Sequence, residues 1–179
     1  LSLTASGFRA FRGPSLNVTD FENGFEQAVL LAQCWLGEGA CDRVLIGAVE
    51  ELGDVMLDSA SRMLGGREGI VPGEGAVFFM LAPANISGRA MIDACDRPRS
   101  VDRRVVETPP LFETDQRASA AEKGSMSFTA HFGHSASAAA FGILGALLAM
   151  RNGNVDNVAS VRTLSDGRPA TLFLARHNR

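Results

Sequence analysis

Cysteine is scarce in this sequence, which holds three cysteines among 179 residues. They stand at Cys34, Cys41 and Cys95, and no Cys-x-x-Cys pair occurs. An odd number at irregular spacing favours neither a zinc site nor a disulfide framework. The spacing of His131 and His134 suits a metal pair, but the sequence supplies no third ligand near them. We therefore expect a cytoplasmic protein that binds no metal and no resident cofactor.

Long hydrophobic runs and a strong charge imbalance are also missing. The apolar runs are far too short to span a bilayer, and the first residues do not resemble a signal peptide. A net charge of −3 gives no electrostatic case for binding nucleic acid or an anionic membrane. The chain lacks an initiator methionine, so we expect a fragment or a trimmed chain. Its 179 residues suffice for one domain with a sizeable core.

Hydrophobic periodicity predicts alternating helices and strands, which is typical of an α/β domain. Strands are predicted at 16–18, 43–49, 76–81, 88–94, 157–161 and 170–175, with a short strand and turn within 126–132. Helices are predicted at 25–36, 54–64 and 137–150. The continuous apolar runs at 43–49 and 76–81 predict strands buried on both faces. Charge and proline dominate 95–123, where we expect mostly loop with a helix at 116–123.

Glycines inside the last predicted helix form a second pattern. Gly142 and Gly145 interrupt an otherwise apolar, alanine-rich segment. Glycine lowers helix propensity, so its presence predicts close packing of this helix against another backbone.

The stretch 13–36 has the clearest local architecture. A β-favouring run at 16–18 leads through a polar turn into the amphipathic helix 25–36. Backbone N–H groups and the positive end of the helix dipole converge at such a turn, where many enzymes place a nucleophile. Here the turn offers neither cysteine nor serine. Its residues are Phe21, Glu22 and Asn23.

Four stretches together resemble the β-ketoacyl synthases of the thiolase fold. Gly13-Pro14-Ser15, with its strand, turn and helix, resembles the segment that carries their active-site cysteine. Residues 37–50 resemble the following helix end and glycine-rich strand. Pro72-Gly73-Glu74-Gly75-Ala76 resembles their Gly-Glu-Gly-Ala turn, and 132–142 resembles their Gly-His motif before an alanine-rich helix.

The resemblance implies one domain over 1–179 with a layered αβαβα fold, reduced or truncated relative to a full ketosynthase. Residues 1–83 would correspond to the N-terminal half around the nucleophile, and 84–179 to a shortened C-terminal half. An acyl carrier protein would present substrates on its phosphopantetheine arm. The partner would be a ketosynthase subunit in a heterodimer, or a second copy in a homodimer.

The departures from the family pattern concern its catalytic residues. The cysteine position falls on Glu22, and the lysine that precedes the Gly-His motif falls on Thr129. The His-Gly-Thr-Gly-Thr motif is absent, so only His134 remains of the catalytic set. This pattern resembles the non-condensing ketosynthase-like subunits, including chain-length factors, which lack the cysteine and pair with an active ketosynthase.

The resemblance also assigns roles to particular residues. Glu22 and His134 would occupy catalytic positions, with Glu22 unsuited to act as a nucleophile. Leu16 and Val18 would lie on an edge strand at the subunit interface. Phe21 would lie near the partner's acyl tunnel and limit chain length by filling space. The predicted substrate pocket contains Phe21, Asn23, Phe132 and Gly133.

The residues leave alternatives open at both positions. Glu22 is either an acid that stabilises the start of a helix or a group with a chemical role. His134 is either a structural hydrogen-bonding residue or a catalytic one. Two functions follow: a non-catalytic subunit of fatty-acid or polyketide-type biosynthesis, or an enzyme acting on acyl carrier protein thioesters. The enzyme would be a decarboxylase, an acyltransferase or a divergent 3-oxoacyl synthase, and the missing nucleophile favours the subunit.

Overall fold

The computed structural model describes residues 13–19, 23–64, 71–86, 88, 90–94, 104–107, 126–135, 137–153, 158–165 and 168–176. The helices are α1 (Gly24–Gly37), α2 (Asp54–Leu64), α3 (Thr129–Phe132) and α4 (Ala138–Arg151). The strands are β1 (Val44–Glu50), β2 (Gly75–Leu81), β3 (Ala90–Ala94), β4 (Arg104–Glu107), β5 (Met126–Ser127), β6 (Val158–Ser165) and β7 (Arg168–Arg176). The mixture of helices and strands confirms the α/β class.

The strands form two sheets. In the smaller sheet β1 and β2 pair antiparallel, with Val44 opposite Leu81 and Glu50 opposite Gly75. The larger sheet has the order β3-β7-β6-β4-β5. Strand β7 is antiparallel to both β3 and β6, whereas β4 is parallel to β6 and to β5. The larger sheet is therefore mixed.

Helices α1 and α4 lie between the two sheets. Helix α1 contacts β1 of the smaller sheet and β3 and β7 of the larger one. Helix α4 contacts β2 on one side and β4, β6 and β7 on the other, and it also contacts α1. A helix covered on several sides must be apolar nearly all round, and α4 is. Its buried residues are Ala138, Ala139, Ala140, Phe141, Gly142, Ile143, Gly145, Ala146, Ala149 and Met150.

The predicted helices at 25–36, 54–64 and 137–150 are confirmed as α1, α2 and α4. The end of α1 has a local cause. Gly39 adopts the left-handed conformation with φ +70°, and the Ala40 N–H donates to the Trp35 carbonyl at 2.9 Å. This turn caps the last carbonyls of the helix, as glycine after a helix end commonly does. None of the helices that the structure describes is long and apolar enough to cross a membrane.

The predicted strand at 16–18 is wrong for the single chain. These residues belong to no sheet, and Leu16 is 65% exposed. Alternating apolar residues do not form a strand by themselves, because a strand needs a hydrogen-bonded neighbour. An edge that pairs across subunits would obtain that neighbour from the second chain.

The prediction that 43–49 and 76–81 are buried on both faces is also wrong. Exposure alternates along β1 and β2, because α1 and α4 cover one face of this sheet only. The other face exposes large apolar side chains, and the paired register puts them side by side. These are Leu45, Val49, Phe78 and Met80.

Two further expectations need correction. The stretch 95–123 is not simply loop, because β4 lies within it between β6 and β5; the helix predicted at 116–123 lies outside the described residues.

Gly145 packs not against a backbone but against the Phe128 ring, whose Cδ2 would lie 2.3 Å from an added Cβ. The glycine makes room for an aromatic side chain.

Candidate functional site

The site is built where two distant chain segments cross. Residues 71–73 lie just before β2, and Gly133 and His134 lie between α3 and α4. The Gly73 N–H donates to the His134 carbonyl at 2.8 Å, and the His134 N–H donates to the Val71 carbonyl at 2.8 Å. Together with the parallel bridge between Pro72 and His134, these bonds hold the Gly-Glu-Gly turn against the Gly-His motif. We call this contact the glycine crossing.

The two glycines allow this approach. A Cβ on Gly73 would lie 1.9 Å from the Phe132 carbonyl oxygen, which is far inside van der Waals contact. A Cβ on Gly133 would lie 2.6 Å from the Gly73 Cα, and Gly133 also has φ +73°. Glycine is the residue for a left-handed conformation and for a close backbone approach. Both reasons apply at Gly133, and the second applies at Gly73.

One ring nitrogen of His134 is shielded from solvent. This atom, Nδ1, is buried and has no hydrogen-bond partner among the described residues. The same holds for the hydroxyl of Ser135, a residue only 1% exposed. Buried polar atoms without partners are uncommon in folded proteins, and functional sites are one place where they occur. Because Nδ1 is closed off from solvent, Nε2 is the nitrogen left to meet a ligand.

Aromatic side chains adjoin this crossing. The half-buried ring of Phe132 stacks on Phe141 of α4 with centroids 5.4 Å apart, and Phe128 lies 6.4 Å from Phe132. Phe132 directly precedes the crossing, so the predicted pocket residues Phe132 and Gly133 lie together with His134. An apolar surface beside a histidine nitrogen can accommodate an apolar chain that ends in a polar group.

An acidic residue that the sequence reasoning missed, Glu50 at the end of β1, contacts the start of α4. The Ser137 hydroxyl, 3.3 Å from Glu50 Oε2, donates to this carboxylate. Burial raises the pKa of Glu50, and the hydrogen bonds from the side chain and backbone of Ser137 lower it by less. Glu50 and Ser137 are 87 positions apart, so no local pattern links them. A second carboxylate, that of the exposed Glu74, accepts a hydrogen bond from the Leu52 N–H at 3.3 Å.

The turn before α1 is described only in part. Asn23 is the N-cap of this helix; it is half-buried, and its Oδ1 is buried without a partner among the described residues. The roles assigned to Phe21 and Glu22 fall outside the described residues. Earlier in the chain, a Cβ on Gly13 would lie 3.6 Å from Cys41 Sγ, so this segment starts near the end of α1. Val18 is half-buried, in contrast to the exposed Leu16.

His131 and His134, whose spacing alone would suit a metal pair, gain no third ligand among the described residues. The described part of the chain holds no group of three or more histidine, cysteine, aspartate or glutamate side chains placed to bind a metal ion. His131 is exposed and lies beside Phe132, with ring centroids 6.5 Å apart. The arrangement around His134 offers hydrogen bonding and apolar contact.

Comparisons with known proteins give a likeness of fold. No family model matches the chain, and no curated protein matches it. Among solved structures it is similar to a chain of the apo AntDE:AntF complex, described as a type II PKS acyl-carrier protein in complex with its ketosynthase bound to the hexaketide. The TM-score is 0.61 at 11% sequence identity, over 93% of this chain and 61% of that chain. This chain thus spans about three fifths of the length of the chain it matches.

Proposed function

We propose that this chain is a non-condensing, β-ketoacyl synthase-like subunit of fatty-acid or polyketide-type biosynthesis. It pairs with an active ketosynthase and shapes the growth of the acyl chain. The observation that carries the proposal is the fold likeness over 93% of the chain to a component of a polyketide complex of ketosynthase and carrier protein. The proposal extends to a cytoplasmic location.

The layering of the fold supports a thiolase-like arrangement. In this proposal the smaller sheet, the layer formed by α1 and α4, and the larger sheet would correspond to the inner three layers of an αβαβα sandwich. Helix α2, which connects the two strands of the smaller sheet, would belong to an outer layer. The glycine crossing joins two of the stretches that carry the family resemblance, as expected if both serve one site.

The chemistry of the turn before α1 supports a non-condensing role. A thiolate forms and releases a thioester because sulfur is a good nucleophile and a good leaving group. Glu22 occupies the corresponding sequence position, and a carboxylate forms no comparable stable intermediate. Near a helix N-terminus a carboxylate would instead gain about 0.3–1 kcal/mol from the helix dipole.

The substrate in this proposal is an acyl chain on the phosphopantetheine arm of an acyl carrier protein. The partly buried rings of Phe128 and Phe132, with Phe132 stacked on Phe141 of the core, would supply an apolar surface for such a chain. His134 Nε2 would donate a hydrogen bond to the thioester carbonyl. The similar solved structure is a complex of a carrier protein with its ketosynthase, which are the two partners proposed here; a homodimer is the alternative pairing.

The half-buried His134 favours a second candidate function, an enzyme that acts on carrier-protein thioesters without a covalent intermediate. A positioned donor that stabilises developing negative charge contributes about 10²–10³ in rate. A decarboxylase needs no more than this from His134. The other candidate enzymes, an acyltransferase or a divergent 3-oxoacyl synthase, require a nucleophile besides.

The test is reconstitution with a ketosynthase and its carrier protein. Purified alone and incubated with radiolabelled acyl donors, the chain should acquire no covalent label, and Cys34→Ser controls for reaction at the exposed Cys34 on α1. Co-expressed with the ketosynthase, it should migrate as a heterodimer. A labelled peptide from 13–36 that survives Cys34→Ser, or a stable monomer indifferent to every ketosynthase tried, would disprove the proposal.

His134→Ala separates the two candidates. In the subunit proposal it changes the product profile modestly, because the partner carries out condensation. Complete loss of product from an intact complex would instead favour the enzyme.

A further inference from the structure

We infer that Gly73 is a positioning residue for His134. The glycine crossing fixes where the His134 imidazole lies, and the segment 71–73 is therefore part of the functional site. The inference deepens the proposed function, on which it rests for the role of His134. It assigns the Gly-Glu-Gly turn a task that a simple turn into β2 would not have.

The backbone of His134 is held from both sides by one short segment. Its N–H donates to Val71 and its carbonyl accepts from Gly73, each at 2.8 Å. Two good hydrogen bonds to residues two positions apart fix both the position and the direction of the peptide that carries the imidazole. Both partners lie 61 or more positions earlier in the chain.

The imidazole itself has no comparable tether in the described residues. Nδ1 has no hydrogen-bond partner there. In many histidine sites a bond to one ring nitrogen orients the ring so that the other can act. Here the crossing fixes the backbone from which the ring projects, so the position of Nε2 depends on the crossing.

The crossing leaves no room for a side chain. A Cβ on Gly73 would lie 1.9 Å from the Phe132 carbonyl oxygen and 3.0 Å from the Gly133 Cα. These are backbone atoms, which cannot rotate away as a flexible side chain can. Any residue other than glycine at 73 must push the two segments apart, and Phe132, stacked on Phe141, and His134 move with them.

Two matched pairs of substitutions separate this effect from ordinary strain. Gly39 has φ +70°, and an added Cβ there meets nothing within 4 Å. Gly39→Ala therefore has the same energetic cost of a left-handed backbone as Gly133→Ala, but without the steric collision. Gly53 likewise has open space around it and serves as the control for Gly73→Ala. All four variants replace glycine by alanine.

The measurement is the NMR signal of the His134 ring in the full chain labelled with ¹³C-histidine. The chain has three histidines, and His134→Gln identifies the His134 signal by its loss. Gly73→Ala and Gly133→Ala should shift the His134 signal beyond its line width and the His131 signal by less. Gly39→Ala and Gly53→Ala should leave the His134 signal in place, even where they lower stability.

A folded Gly73→Ala chain with an unmoved His134 signal would overturn the inference. If Gly73→Ala does not fold, hydrogen exchange on the unmodified chain decides. The amides of Gly73 and His134 should be protected to a similar degree, and exchange of either at the rate of an unstructured peptide would overturn the inference equally. Neither measurement involves a ketosynthase, so failure to form a heterodimer would count against the proposed function alone.

Discussion

Glu50 is a partly buried carboxylate that accepts hydrogen bonds from Ser137. It lies at the end of β1, where partial burial raises its pKa above the ordinary value of 4.5. The hydroxyl and N–H of Ser137 donate to it at the start of α4, which lowers the pKa by less than burial raises it. The folded state therefore binds a proton at Glu50 more tightly than the unfolded chain does.

This shift has a definite sign for stability. Because the folded pKa is raised, the folded state holds more protons than the unfolded state between the two pKa values, and the free energy of unfolding falls as pH rises through that window. Glu50→Gln removes the titration. Urea denaturation from pH 4 upward should show the variant gaining stability relative to the natural chain as pH rises above about 4.5, then a constant difference.

The control for this prediction is Glu51→Gln, which removes the same charge from the exposed neighbouring side chain. If the pH profiles of Glu50→Gln and the natural chain run parallel, burial of Glu50 does not dominate its environment.

At the scale of elements, α4 is the part most closely fitted to its surroundings. It contacts both sheets and α1, and Ala140, Ile143 and Ala146 are at most 1% exposed. Gly145 lets the Phe128 ring approach the helix axis, with three ring carbons within 2.6 Å of where a Cβ would stand. Glycine at this position lowers the helix propensity of α4, but it allows the helix to contact Phe128, which lies in the segment that leads to His134.

Gly145→Ala should therefore destabilise the fold although alanine is the better helix former. The helix preference is worth about 0.5–1 kcal/mol, whereas overpacking a close-packed site costs about 1–3 kcal/mol. We expect a net loss in the free energy of unfolding, measured by urea denaturation. Gly37→Ala, at the end of α1 with nothing within 4 Å of the new methyl, should change it by less than about 0.5 kcal/mol.

A second substitution tests the cause of that loss. In a Phe128→Leu background, Gly145→Ala should cost less than in the natural chain, because the aromatic ring is gone. An equal cost in both backgrounds would show that Phe128 is not the obstacle.

At the scale of the whole molecule, the segment around Val18 has no partner strand among the described residues. Val18 is half-buried and Leu16 is 65% exposed. An apolar segment outside any sheet gains hydrogen bonds and burial if a second chain pairs with it. In the proposed function that chain is the ketosynthase.

Val18→Asp should then weaken the heterodimer by at least about tenfold, because an unpaired carboxylate buried in an interface costs about 2–5 kcal/mol. The measurement is the dissociation constant by analytical ultracentrifugation, with circular dichroism to check the fold. Val55→Asp makes the same change on α2, at a side chain that is 78% exposed, and should leave the dissociation constant unchanged. Equal effects of the two substitutions would exclude the Val18 segment from the interface.

The sequence by itself determined the elements whose cause is local. The apolar spacing of 25–36 and the local composition of 54–64 and 137–150 predicted three helices within about one residue of their ends. The resemblance also singled out the Gly-Glu-Gly and Gly-His stretches, each readable as a short motif. These features depend on residues a few positions apart.

Only the tertiary structure decided what depends on distant pairs. Strand β4 forms because β5 and β6 lie on either side of it, and the segment at 16–18 remains outside the sheets because no described strand lies beside it. The one-sided burial of β1 and β2 follows from where α1 and α4 pack. The contact of Gly73 with Gly133 and that of Glu50 with Ser137 join residues 60 and 87 positions apart. Close approach and burial depend on which distant segments the fold brings together, and the local periodicity of a sequence does not specify those segments.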